Sequence, residues 1–486
     1  MAWSRNVVFI LTLLAKGSSF GAAALNWQDK VQPSILAGAS AGSVPFIIFM
    51  GEKADLSGAA NLRTKAERGY WVYDQLHRVA DRSQHEILAI LDAQGIAYQR
   101  FWAANMILAG GSLDLVKSLA SREDVRGIYA NPSVPLSEPV ESTESSNAVD
   151  SIEWNVIQVT APDVWAQGFT GQGIVVAGED TGYQWDHPAL INHYRGWDGS
   201  MATHDYNWWD AIHDPAPGNP CGADSPFPCD DLGHGTHTMG TMIGDDGLGN
   251  QIGVAPGATW IGCRNMDHNN GTPARYTECF QFFIAPWDLN GQNPDPTMAP
   301  HVINNSWNCP PSEGCIDPNV LRDVIEATRA AGIVVVVSAG NGGSNCGTIT
   351  LPAIYEASFS VGATDRTDLI AFFSSRGPVT LDGSHRLKPD ISAPGVGVRS
   401  SVPLNGYGSM SGTSMAGPHV VGVVALILSA APQLIGLPDD IQNLLEATAV
   451  PETTTQTCGG IGGDQIPNNT YGWGRVDAFS AYSALQ

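Results

Sequence analysis

The sequence predicts an α/β protein, a doubly wound parallel sheet preceded by a small α+β domain. Three observations predict it. From residue 154 to the end, short apolar runs alternate with helical stretches, the pattern of strands buried on both faces and covered by helices. The 54 glycines and 31 prolines favour many turns over long bundles. All eight cysteines lie after residue 220, so the two parts of the chain differ in character. The formal net charge of −24 leaves no basic footprint for nucleic acid. A hydrophobic fraction of 43% against 15% charged residues excludes disorder throughout.

The elements follow in order. Residues 1–24 read as a secretory signal. Arg5 gives the positive start, Val7 to Ala15 an apolar run, and Ala22 and Ala24 a small-x-small cleavage site. The run is too short to span a bilayer, which takes about 20 residues. Residues 25–140 read as a small cysteine-free domain. VPFIIFMG (44–51) is a buried strand. Val72, Leu76, Val79, Ile87 and Leu91 mark a helix between Thr64 and Asp92. One further strand region covers 97–109, a second helix runs from Leu113 to Ser121, and RGIYANPSV (126–134) is extended. Residues 141–153, the end of a Ser-, Pro- and Glu-rich stretch, read as an exposed linker. In the larger part, 154–486, strands are expected at 173–178, 260–266, 301–307, 332–340 and 358–363, and a helix at 320–332 closed by Gly332. The apolar stretch Val420 to Ala431 reads as a buried central helix and not a membrane span.

Three segments carry chemistry. GIVVAGEDTG (173–182) ends a strand in Asp180, and the carboxyl ends of parallel strands are where such folds place their sites. GHGTHTMGT (233–241) offers His234 and His237. Their spacing of three shares a helix face, but no further zinc-ligand pattern accompanies them. SGTSMAGPHVVG (411–422) puts Ser414 at a helix start, where backbone N–H groups face any developing oxyanion. Asp180, His234 and Ser414 are together the side-chain types of an orienter, base and nucleophile relay. Asn341, just past VVVVSAG, can add a side-chain amide to the oxyanion site.

These motifs, in the order Asp, His, Ser, resemble the subtilisin-like serine protease family, the subtilases. The DTG that begins at Asp180 belongs to the resemblance. So do HGTH at His234, GTSMAGP at Ser414, SAGN ending at Asn341, and the closing YGWGRVDAFSAY (471–482). The branch resembles the bacillopeptidase F-like one. The resemblance implies a secreted, extracellular serine endopeptidase made as a zymogen. In it Ser414 is nucleophile, His234 general base and acid, Asp180 the orienting carboxylate and Asn341 the oxyanion donor. It implies substrate pairing along Ser306 and Trp307. Asn308 stands where the family often has glycine, which narrows the primary pocket. His237 and His419 are expected to pack near the site.

Polypeptides are the implied substrates, and residues 25–140 resemble the family's propeptide, an inhibitor and folding template. No nucleic-acid or membrane partner is expected. No cofactor is required for the chemistry. A structural calcium is a candidate in two places. One is the aspartate-rich loop with Asp198, Asp205, Asp210 and Asp214. The other is the 244–256 loop, where Gly247 replaces a usual oxygen ligand. The cysteines fit an oxidising compartment. Short spacing favours Cys221–Cys229 and Cys309–Cys315. The remaining four admit 3 pairings, of which Cys263–Cys279 with Cys346–Cys458 is preferred. Glycosylation sequons occur at Asn270, Asn304 and Asn468, with Asn304 discounted as part of a buried strand. A reading of another class is a catalytically idle binding protein on the same scaffold. An esterase of the α/β-hydrolase type would need G-x-S-x-G and another residue order.

Overall fold

The computed structural model describes residues 26–136, the backbone of 140–142, and 151–486. The signal segment and most of the linker lie outside the described residues.

Seven parallel strands form the main sheet. Their spatial order is Ile391–Pro394, Phe359–Thr364, Val334–Ser338, Val302–Asn305, Val175–Asp180, Thr259–Arg264 and Trp208–Asp210. Alternate side chains feed two cores, as the period of two requires. Val334 and Val336 join Val176 and Val302 in one cluster, with Val420, Val424 and Leu428 of the helix Thr413–Ala430. Val335 and Val337 join Ala177 and Ile303 in the other, with Phe280 and Phe283 of the helix Pro273–Ile284. The five expected strands are present. The two edge strands, Ile391–Pro394 and Trp208–Asp210, were not among those expected. The helix Arg322–Ala330 ends as expected, with Gly332 at φ 83°. The expected central helix is there, buried between sheet and neighbours.

Succession along the chain reverses direction across the sheet between Val175–Asp180 and Val302–Asn305. The crevice at the carboxyl ends of these two strands is the place such a sheet offers a ligand. All four expected disulfides form: Cys221–Cys229, Cys263–Cys279, Cys309–Cys315 and Cys346–Cys458.

Residues 26–129 build an antiparallel sheet in the order Tyr98–Phe101, Met106–Gly111, Val44–Met50 and Val125–Tyr129. The helix Lys65–Ala93 opens with a capping box between Thr64 and Glu67. The sequence reading needs one correction here. The single strand region 97–109 is a hairpin of two strands. Its turn hides inside the apolar run FWAANMILA, where Asn105 takes φ 46°.

One face of this sheet, with Ile47, Phe49 and Phe101, joins the same apolar cluster as Phe280, Phe283 and Val324. Polar bonds ring the contact. Arg126 pairs with Asp323 at 3.0 Å, Gln99 Nε2 donates to Glu278 at 2.6 Å, and Ala103 N–H donates to Gln281 Oε1 at 3.0 Å. Beyond the sheet, Val134–Pro135 pairs antiparallel with Asn270–Gly271, and Leu136 N–H donates to Asn269 O at 2.7 Å. The backbone of Val140–Ser142 then pairs antiparallel with the strand Gly406–Ser411.

Candidate active site

Asp180 is the last residue of its strand and is fully buried. His234 opens the helix His234–Ile243, and its Nδ1–H donates to Asp180 Oδ1 at 2.7 Å. That bond fixes the tautomer and leaves Nε2 as a base. Nε2 is buried and has no hydrogen-bond partner among the described residues. Thr181 N–H and Thr238 Oγ also donate to Asp180, at 2.8 Å and 3.2 Å, so the carboxylate is held on both oxygens. The strand can turn so tightly after Asp180 because Gly182 stands at φ 105°, beside the Cys229 carbonyl, where no side chain fits.

Ser414 lies in the first turn of Thr413–Ala430, whose N–H groups have no intrahelical acceptor. This helix packs against the one carrying His234. Ser414 Oγ donates to Ser306 O at 3.2 Å, and Ser306 Oγ donates back to Ser414 O at 2.9 Å. No hydrogen bond joins Ser414 to His234 among the described residues. Asn341 follows the strand Val334–Ser338. Its Oδ1 accepts from Thr413 N–H at 3.0 Å and from Thr413 Oγ at 2.9 Å. The amide Nδ2 is thereby left for another acceptor, and a Cβ built on Gly412 would lie 3.6 Å from it.

The other expected residues divide. Ser306, Trp307 and Asn308 follow the strand Val302–Asn305, next to Ser414 through Ser306. Trp307 is only 1% exposed and stacks on Tyr276 at 3.8 Å. It shares an apolar cluster with Val134 and Leu136. Asn308 is half-buried, with its amide near Gly340. His237 donates from Nε2 to Val398 O at 3.0 Å, and burial, with the neighbouring His234, pushes it down to about 3. His419 bridges Met415 O and Asn155, and burial pushes it down to about 4. Both stay neutral and pack.

The sequence reading passed over Glu179, whose buried carboxyl is driven well above its usual range by desolvation beside Asn265. It also passed over Thr181, Asp230, Thr236 and Thr413. An aspartate just before a helix start was the available signal for Asp230.

The calcium candidates do not gather into one site. Asp210 pairs with Arg264, Asp198 caps its own turn, and Asp205 takes Leu289 N–H. In the 244–256 loop, Asp246 accepts from Leu248, Asn250 and Tyr407, and Asp245 accepts from Gly247. Protein donors thus occupy these carboxylates. The metal-spaced group found among the described residues is Asp231, Asp267 and His268. Asn219 bridges its two carboxylates, and Arg264 lies 3.8 Å from Asp231.

A doubly wound sheet with a paired Asp–His, a serine at a helix start and an amide beside it defines the scaffold of a serine peptidase. The chain belongs to the subtilase family, whose model (Peptidase_S8) matches residues 171–474. It is similar to Bacillopeptidase F of Bacillus subtilis (strain 168), 39% identical over 456 residues, 89% of this chain and 30% of that protein. It therefore spans less than a third of that relative's length. Subtilisin E of the same strain is 29% identical over 405 residues, 83% of this chain and 91% of that protein. M-protease of Shouchella clausii (strain KSM-K16) is 31% identical over 362 residues, 74% of this chain and 77% of that protein. The expected bacillopeptidase F-like resemblance agrees with the first of these.

Proposed function

We propose that this chain is a secreted serine endopeptidase zymogen whose residues 25–140 are its propeptide. Ser414 Oγ attacks the scissile carbonyl while His234 Nε2 takes its proton. Asp180 stabilises the imidazolium. Asn341 Nδ2 and the Ser414 N–H receive the oxyanion. Collapse expels the amine, which takes the proton from His234, and leaves an acyl-enzyme. Water, deprotonated by His234, then releases the acid. For this chemistry Ser414 Oγ turns from Ser306 O toward His234 Nε2. The four disulfides support an oxidising, extracellular location.

The observation that carries the zymogen reading is the path of the chain on either side of Ser414. Val134–Pro135 adds to the edge strand Asn270–Gly271, as an extended substrate does. Residues 140–142 add to Gly406–Ser411, three residues before Ser414. Leu136 and Val140 thus bracket the segment for which this reading expects the first cut.

The test uses the whole secreted chain. Wild type should yield a first product beginning between residues 137 and 140, and a fluorophosphonate should label Ser414. Ser414→Ala should stay uncut and unlabelled. Self-cutting by pure Ser414→Ala protein would refute the proposal. The same outcomes separate it from an idle binding protein.

A further inference from the structure

Asp230 and two threonines form a closed lattice between the segments that present Asp180 and His234. We infer that Asp230 is a positioning residue for the Asp180–His234 pair. The inference rests on the triad reading above.

Each atom of the lattice has a partner. Asp230 Oδ1 accepts from Thr181 Oγ at 2.8 Å, Leu232 N–H at 3.1 Å and Gly233 N–H at 2.7 Å. Asp230 Oδ2 accepts from Thr236 N–H at 2.9 Å and Thr236 Oγ at 2.5 Å. Each threonine hydroxyl then accepts from the opposite segment. Thr181 Oγ takes Gly235 N–H at 3.0 Å, and Thr236 Oγ takes Gln184 N–H at 2.9 Å. Thr181 follows Asp180 in the chain, and Gly235 follows His234.

A helix start leaves its first N–H groups without intrahelical acceptors. The residue at this N-cap is Gly233, which has no side chain to supply one. Thr181 and Asp230 take the Gly235 and Thr236 N–H groups instead. The helix start is therefore capped by the turn that carries Asp180. A local Ser or Asn cap would stabilise the helix equally well, but would not tie it to that turn. Asp230 accepts five bonds and donates none, which only a carboxylate does. An amide would turn an NH₂ group against N–H and O–H donors on one side. The lattice touches neither substrate nor reacting atoms, so it acts through Asp180 and His234.

The test compares Asp230→Asn, Thr181→Val and Thr181→Ser with wild type, each normalised to Ser414 sites titrated with a fluorophosphonate. Asp230→Asn and Thr181→Val should lower kcat on the order of 10²-fold with KM little changed, the scale of a 1 Å misplacement at a reacting group. Thr181→Ser keeps the hydroxyl and should restore most of the rate. A looser imidazolium partner should also move the acid limb of kcat/KM to lower pH in the two impaired variants. A purely structural role would reduce the number of titratable sites and leave that limb in place. If Asp230→Asn yields no folded protein, the Thr181 pair decides. Wild-type kcat and an unmoved acid limb in Thr181→Val would overturn the inference. Failure of wild-type Ser414 to label would instead overturn the triad reading beneath it.

Discussion

A single methyl at residue 235 tests how tightly the Asp180–His234 pair is held. Gly235 sits in the first turn of the helix, beside His234. A Cβ built there would stand 2.1 Å from Gly182 O and 3.0 Å from Asp180 Cβ. Close carbon-to-oxygen contacts in proteins lie near 3.3 Å, so one segment must give by about 1.2 Å. The turn has little room, because Gly182 is itself packed against the Cys229 carbonyl. The displacement falls between two segments whose side chains meet at 2.7 Å. Stretched by that amount, the bond is no longer a hydrogen bond. Misplacement by 1 Å costs on the order of 10²-fold, or about 2.7 kcal/mol of transition-state stabilisation. Gly235→Ala should therefore lower kcat/KM by roughly that factor. The assay is peptide hydrolysis per titrated Ser414 site, with the rate of fluorophosphonate labelling measured alongside. Both should fall together, since both need the activated hydroxyl. A kcat/KM within about threefold of wild type would show that the pair tolerates the wedge, and would refute the reasoning.

Other outcomes are expected. Asn341→Ala should fold and lose roughly 10²–10³ in kcat with little change in KM, a loss known for this family's oxyanion donor and not worked from this structure. A turnover within threefold of wild type would remove Asn341 from that role. Residues 25–140 supplied as a separate polypeptide should inhibit the processed enzyme at micromolar levels, and absence of inhibition in a titration would make them an accessory domain. Stability should fall as pH drops below about 6.5, where imidazoles of the unfolded chain take up protons. His237 and His301 are pushed down to about 3 and His419 to about 4, chiefly by burial, so all three stay neutral in the fold. The unfolded state binds more protons in that window, so stability rises with pH through it and its contribution is fully present above about 6.5. Urea midpoints of Ser414→Ala protein, which cannot digest itself, should show this, and equal midpoints at pH 7 and pH 5 would contradict it.

The parts of the site legible in the sequence are those with local signatures. Asp180, His234, Ser414 and Asn341 each stand at the boundary of a strongly patterned element, in a short motif. The five inner strands were legible because burial on both faces gives each a short apolar run, such as VVVV at 334–337. What failed has a common cause. The Tyr98–Phe101 and Met106–Gly111 hairpin turns through Ala103 and Ala104, whose apolar side chains are buried against the second unit and resemble strand interior. The stacking of Trp307 on Tyr276, thirty-one positions earlier, has no local signature. Thr181 and Asp230 are 49 residues apart and meet only in the fold. Hydrogen bonds between distant loops impose no period and so leave no pattern to read.

If the chain is a zymogen, the pairing of its residues with both Asn270–Gly271 and Gly406–Ser411 sets the kinetic order of maturation. A bond presented by a molecule to its own nucleophile sees a local concentration that the solution cannot change. Under the proposed function the first cut is a clock internal to each molecule. Its half-time should be the same at nanomolar and micromolar protein. The apolar face shared by Ile47, Phe49, Phe280 and Phe283 is untouched by that cut, so the severed domain leaves on a second, slower timescale. Dilution into the medium would stall an activator that depends on meeting a partner. Here it leaves the first event running and, by preventing rebinding, makes the second irreversible.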